Sequence, residues 1–104
     1  MKESYLTKKI RLKLRETYGG CFYKIPGGPF MVVGFPDLVG VVGGHMIAIE
    51  VKVPGREDTL TERQALVLGE LSEKGGCLAF MTTSSEDAVK RVGEYLTSRG
   101  HTLT

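Results

Sequence analysis

The residues in this chain whose types and spacing could do chemistry are two acids and an amine, Asp37, Glu50 and Lys52. Leu38 to Val42 and the alternating segment His45 to Val53 both have strand composition, and Gly43-Gly44 between them reads as a two-residue hairpin loop. That loop puts Asp37 directly opposite Glu50, on one face. Opposed Cβ atoms lie roughly 4.5–5.5 Å apart, close enough for two carboxylates to repel each other and to hold a hard divalent cation jointly. Alternation places Met46, Ala48, Glu50 and Lys52 on that face, and Ile47, Ile49, Val51 and Val53 on the other. A one-residue slip in the loop would turn Asp37 away. A carboxylate-held metal neutralises charge on phosphate oxygens and supplies hydroxide near neutral pH, which is the chemistry of phosphodiester hydrolysis. Lys52 can act on the attacking water if its pKa is lowered, or stabilise the transition state as an ammonium.

These groups need elements to position them. Ser4 to Tyr18 contains neither Pro nor Gly, and Leu6, Ile10, Leu14 and Tyr18 recur every fourth residue, which predicts a helix ended by Gly19-Gly20. Glu3 falls on the line of Ile10 and Leu14, directed at the body of the domain, where it either complements the helix dipole or joins the acids. Lys8, Arg11 and Arg15 form one flank of this helix, and Lys2, Lys9 and Lys13 another. Cys21 to Ile25 and Phe30 to Val33 read as strands joined by Pro26-Gly27-Gly28-Pro29 in a first hairpin. After a polar loop, Thr61-Glu62-Arg63-Gln64 fits a capping box that starts a helix with Leu66 and Leu71 inward, closed by Gly75-Gly76. Cys77 to Thr82 reads as a buried strand. Glu86 to Ser98 reads as a helix with Ala88, Val89, Val92 and Leu96 inward, capped by Ser84 or Ser85. The expected class is α/β of the α+β kind, a mixed sheet flanked by helices in the order α-β-β-β-β-α-β-α.

Length and composition narrow the classes further. With 104 residues, 41% hydrophobic and 25% charged, the chain is expected to form a single domain over residues 1–104. The longest apolar runs are far short of a membrane span, and the charged N-terminus is not that of a secretory signal, so a cytoplasmic protein is expected. Cys21 and Cys77 are expected to be reduced and buried, with no metal-ligand spacing. His45 reads as an exposed turn residue and His101 as part of a frayed tail. Tyr5, Tyr18 and Tyr23 read either as core edges or as surfaces for stacking bases, and no glycine motif for a nucleotide cofactor is present. Residues 1–36 carry seven basic side chains against two acids, leaving the remainder net negative in a +2 chain. Five of the seven lie between Lys8 and Arg15, a cluster of the size that meets phosphates.

Gly34-Phe35-Pro36-Asp37-Leu38, then Glu50-Val51-Lys52, then Leu60-Thr61-Glu62-Arg63-Gln64 resemble, in that order, the VRR-NUC domain, the virus-type replication-repair branch of the PD-(D/E)XK nucleases. The resemblance runs from the N-terminal helix to the strand after Gly75-Gly76. It implies a restriction-endonuclease-like core and Mg²⁺ or Mn²⁺ bound by Asp37, Glu50 and the backbone carbonyl of Val51. Glu3 matches a further acid of the family, Lys52 the family lysine and Gln64 its glutamine. Gln64 could hold the water or Lys52, or spend its amide on the capping box. Many members have a Trp where this chain has Val67.

The function expected is a metal-dependent, structure-selective DNA endonuclease, similar to small stand-alone phage or bacterial members that act as Holliday-junction resolvases, in a bacterial cell or phage-infected host. Lys8, Lys9, Arg11, Lys13, Arg15 and Lys24 are the expected DNA contacts. Because a junction presents two equivalent strands and this chain one carboxylate pair, a homodimer is expected. The alternatives are a nuclease for flaps or nicks, and a basic DNA-binding module that does not cut.

Overall fold

A Gly- and Pro-free run with an apolar residue on every fourth position forms helix α1, Glu3–Tyr18, in the computed structural model, which describes residues 1–29 and 31–102. Leu6, Ile10 and Leu14 are buried on it, and Gly19 turns the chain out at φ 73°. Strand β1 (Cys21–Lys24) follows, then β2 (Leu38–Val42) and β3 (His45–Val51). A short 3₁₀ turn at Glu57–Thr59 precedes α2 (Glu62–Glu73), β4 (Leu78–Thr82) and α3 (Ser85–Ser98). The strands form one sheet in the order β1-β2-β3-β4, antiparallel except for the parallel β3–β4 pair, with α2 as the crossover between them. The class is the expected mixed α/β one. Among the described residues, no helix is long and apolar enough to cross a membrane.

The expected strand at Phe30 to Val33 is corrected. Phe30 lies outside the described residues; Met31 is in a bend, Val33 in a turn and Val32 in neither, and all three are exposed. The partner of β1 is instead β2, with Cys21 opposite Val41 and Lys24 opposite Leu38. The run at 30–33 is bracketed by Pro29 and Pro36, and β2 fills the ladder it would have joined. Four strands are therefore present among the described residues where the sequence reading had five.

Both faces of the sheet are covered at its centre. On one, Leu6, Ile10 and Leu14 of α1 and Ala88, Val92 and Leu96 of α3 close over Leu38, Val42, Ile47, Ile49, Val51 and Phe80. The two helices approach closely where the Tyr18 hydroxyl donates to the Val89 carbonyl oxygen at 2.6 Å, and a Cβ on Gly93 would collide with that hydroxyl. On the other face α2 packs against β3 and β4 through Val67 and Leu68. Leu66, expected inward, is 52% exposed, because the inward direction of α2 is set one position further along. Cys77 is buried and Cys21 exposed, both as free thiols, so the expectation of burial fails for Cys21, at the free edge of the sheet.

Candidate metal centre

The Gly43-Gly44 turn closes the β2–β3 hairpin in the register that the two-residue loop requires, with Val42 opposite His45 and Leu38 opposite Ile49. The next pair outward is Asp37 and Glu50. Asp37 is fixed there because its Oδ2 accepts a hydrogen bond from the Val51 amide at 3.0 Å, while its own carbonyl oxygen accepts from the Ile25 amide at 2.7 Å. The backbone reaches this position through Gly34, at φ +81°, where a Cβ would come within 2.9 Å of the Arg63 carbonyl oxygen. Only glycine combines that backbone conformation with so close an approach to α2.

Glu50 is 2% exposed. Its Oε2 accepts from the Gln64 side-chain amide at 3.1 Å and lies 3.4 Å from the Lys52 ammonium. Its Oε1 is buried without a hydrogen-bond partner. Burial, then the nearby charge of Asp37, pushes the Glu50 carboxyl up to about 7, against the opposing pull of Lys52. Lys52, 7% exposed, directly follows β3 and is held by its amide donating to the Thr82 carbonyl oxygen at 3.0 Å.

The third acid comes from a different layer. Glu3, exposed in the first turn of α1, brings a carboxylate oxygen into a group with Asp37 and Glu50 in which the ligand atoms all lie within 4.8 Å of one another. Three carboxylates this close repel, and one of them has a buried oxygen with nothing to bind. A buried polar atom left unpaired costs about 1–3 kcal/mol, more for a charged group. The donor set is all oxygen, which suits Mg²⁺ or Mn²⁺ over the softer metals, and a hard cation would satisfy Glu50 Oε1 and the mutual repulsion together.

Gln64 makes the capping box expected of it, and its side chain meets Glu50 where Lys52 or the water was the expected alternative. The Thr61 hydroxyl accepts from the Gln64 amide at 3.1 Å, and the Gln64 side-chain oxygen accepts from the Thr61 amide at 2.9 Å, completing the capping box. That leaves the side-chain nitrogen facing Glu50. The cap therefore sets which end of the side-chain amide the carboxylate meets.

The remaining expected residues divide by location. Val51 ends β3 between the acid and the lysine, its amide committed to Asp37. Lys8, Lys9, Lys13, Arg15 and Lys24 are exposed and Arg11 is half-buried, none of them among the carboxylates. His45 and His101 are at the opposite, Gly43-Gly44 end of the sheet, their ring centroids 6.3 Å apart. His45 is half-buried beside Tyr95, and His101 is tied back by its amide to the Leu96 carbonyl oxygen at 2.9 Å, so neither the exposed-turn nor the frayed-tail expectation holds.

What the sequence reading missed is the role of Ile25 to Gly28 and Met31 to Phe35. Together with Asp37 and Gln64 they line a cavity of about 200 Å³, and Arg63 Nε donates to the Val33 carbonyl oxygen at 3.3 Å. Its signal was the Pro and Gly punctuation on both sides of an apolar run.

No protein-family model matches the chain, and no curated protein matches it.

Proposed function

We propose that this protein is a metal-dependent DNA endonuclease of the VRR-NUC kind within the PD-(D/E)XK nucleases, acting on branched DNA in the manner of a Holliday-junction resolvase. The observation that carries the reading is the meeting of Glu3, Asp37 and Glu50 around a buried carboxylate oxygen without a partner, with Lys52 beside it. An acid cluster of this kind would repel a phosphate unless a cation lay between them. Asp37 and Glu50, with the Val51 carbonyl and Glu3, are the groups that would hold Mg²⁺ or Mn²⁺, which when bound supplies charge neutralisation and an acidified water.

The chain's own residues divide the remaining work. Asp37 is oriented by the Val51 amide and Glu50 by Gln64, so both present oxygens without needing to reorganise. Lys52, paired with Glu50, is suited to stabilising negative charge on the phosphate as an ammonium. Lys8, Lys9, Arg11, Lys13, Arg15 and Lys24 supply backbone contacts that position DNA without reading sequence. Symmetric cutting of a four-way junction needs two such centres, so the active unit of the proposal is a homodimer.

The test is cleavage of a four-way junction, a flap and a linear duplex of shared sequence, with Mn²⁺ and with chelator, alongside sedimentation with and without junction. Metal-dependent, paired cuts on the junction by a dimer are expected. Equal nicking of junction and duplex by a monomer would remove the resolvase reading, and no cleavage of any substrate in Mn²⁺ would remove the nuclease.

A further inference from the structure

Strand alternation puts Cys21 and Tyr23 of β1, Val39 and Val41 of β2 and Met46 of β3 on the face of the sheet away from α1 and α3, the face that carries Ala48 and Glu50. Helix α2 covers that face over β3 and β4. Over β1 and β2 no helix of the described residues stands on this side, and Tyr23 is left 66% and Val41 40% exposed. Cys21 beside them is exposed, and Val39 and Met46 are half-buried. None of the five side chains is charged, in a chain with 25% charged residues. A phosphate or a charged peptide finds no ion partner there; an apolar protein surface finds a matching one.

The face is a step. Helix α2 raises one half of it by about 10 Å, the diameter of a helix, and the other half lies bare beside it. The same distance, about 10 Å, separates two sheets packed face to face. A step of this height fits a second copy of itself. A two-fold axis parallel to the strands lays bare half on bare half, and brings each α2 against the other copy's β1, whose outer edge has no strand beside it. Area requires the whole step to be used. Three strands over five residues offer roughly 240 Å² in plan, against about 800 Å² per partner in a stable interface, so the flank of α2 and the edge of β1 have to join the contact. Arg63 marks that flank, because it meets Val33 and Gly34 in the segment joining β1 to β2. Glu70 and Lys74, seven and eleven residues further on, point within about 20° of it. An apolar centre with a rim of mixed charge is the anatomy of a protein interface.

We propose that this stepped face is where two copies of the chain meet. The use of such a dimer rests on the nuclease reading; the surface does not. An axis parallel to the strands preserves height along them, so both carboxylate centres come to one end of the dimer. For the same reason Val41 meets its own row in the other copy, Cys21, Val41 and Met46.

Sedimentation at micromolar concentration tests the surface, with circular dichroism to establish that the variants fold. The wild type should be a dimer. Val41→Glu should weaken it on the order of a hundredfold by setting like charges in one row, Val41→Lys should do the same, and an equimolar mixture of the two should recover a heterodimer. Tyr23→Ala, at the more open position, should weaken it on the order of tenfold. Leu12→Glu, on the outer side of α1 and comparably exposed at 44%, should leave it unchanged.

A dimer indifferent to Val41→Glu and Tyr23→Ala, a mixture that stays monomeric, a matching loss in Leu12→Glu, or a wild type monomeric up to tens of micromolar would each overturn the surface. If the face variants dissociate a dimer that cuts nothing with Mn²⁺, the surface stands and the nuclease reading falls. If a dimer that cuts junctions ignores the face variants, the nuclease stands and the surface falls.

Discussion

Strand β3 is buried on both faces, and the two faces are closed by opposite chemistry. Toward α1 and α3 it presents Ile47, Ile49 and Val51 to a hydrocarbon core. Toward α2 it presents Ala48 and Glu50, with Lys52 just beyond, and what α2 returns at Glu50 is the Gln64 amide. The first face stabilises the fold, since each fully buried aliphatic side chain contributes about 1.5–3 kcal/mol. The second holds a carboxyl pushed up to about 7 and an oxygen without a partner, an arrangement that opposes folding in the metal-free chain. Neighbouring residues of one strand thus separate stability from chemistry, and substitutions at Ile49 and Glu50 should separate them too.

The largest expected effect is on the polar face. Asp37→Asn and Glu50→Gln each remove a carboxylate charge of the proposed metal site at nearly constant volume, and should reduce the proposed cleavage by a thousandfold or more, on the order of 4 kcal/mol of transition-state stabilisation, while DNA binding in chelator persists. Folded variants cutting at the wild-type rate would refute the centre.

The mirror experiment is Ile49→Ala, one residue away on the apolar face. It should cost about 2–5 kcal/mol of stability by the loss of buried hydrocarbon and the cavity left behind. Urea unfolding measures this, and cleavage per folded molecule should be retained. A loss of catalysis with no loss of stability would show that the faces are not separable.

A third effect is in pH. Glu50 in the folded protein titrates near 7, against an ordinary value of 4.5, so between these values the folded chain keeps a proton that the unfolded chain has released. Metal-free stability is therefore expected to fall as pH rises through that window, by about 3 kcal/mol in total. Mn²⁺, which prefers the carboxylate, should oppose the fall, and Glu50→Gln should flatten it. Stability rising from pH 5 to pH 7 in chelator would contradict this.

The smallest effects come from the supports. Thr61→Ala removes the cap and should cost about 1 kcal/mol of stability. The Thr61 backbone amide that holds the Gln64 side-chain oxygen is kept, so kcat should change little, and Thr61→Ser should restore the stability. Lys52→Ala should lower kcat more than it weakens Mn²⁺ affinity, and calorimetry showing metal binding lost altogether would make Lys52 a support of the metal and not of the chemistry.

Much of this centre was legible in the chain. The opposition of Asp37 and Glu50 follows from Gly43-Gly44, because a two-residue hairpin loop admits one register and strand side chains alternate. The direction of Glu3 follows from helical phase, counted from Ile10 and Leu14. The capping box at Thr61 and the cap at Ser84 were likewise local, each being a contact between residues three apart.

Other features depended on partners distant in sequence. Met31 to Val33 carry strand composition and form none, because β2 had already paired with β1, and no local pattern reports that competition. The inward direction of α2 was misread at Leu66, since which stripe of a helix is buried depends on the sheet beneath it.

The sequence by itself determined the elements, the hairpin register and the identity of the acids, all consequences of backbone periodicity and turn chemistry acting over a few residues. Only the tertiary structure decided that Glu3 reaches Asp37 and Glu50, that Gln64 serves its cap and the carboxylate at once, and that Glu50 is buried with one oxygen unpaired. Those are properties of three layers closing on one another, and desolvation and the charges brought near Glu50 exist only once they have closed.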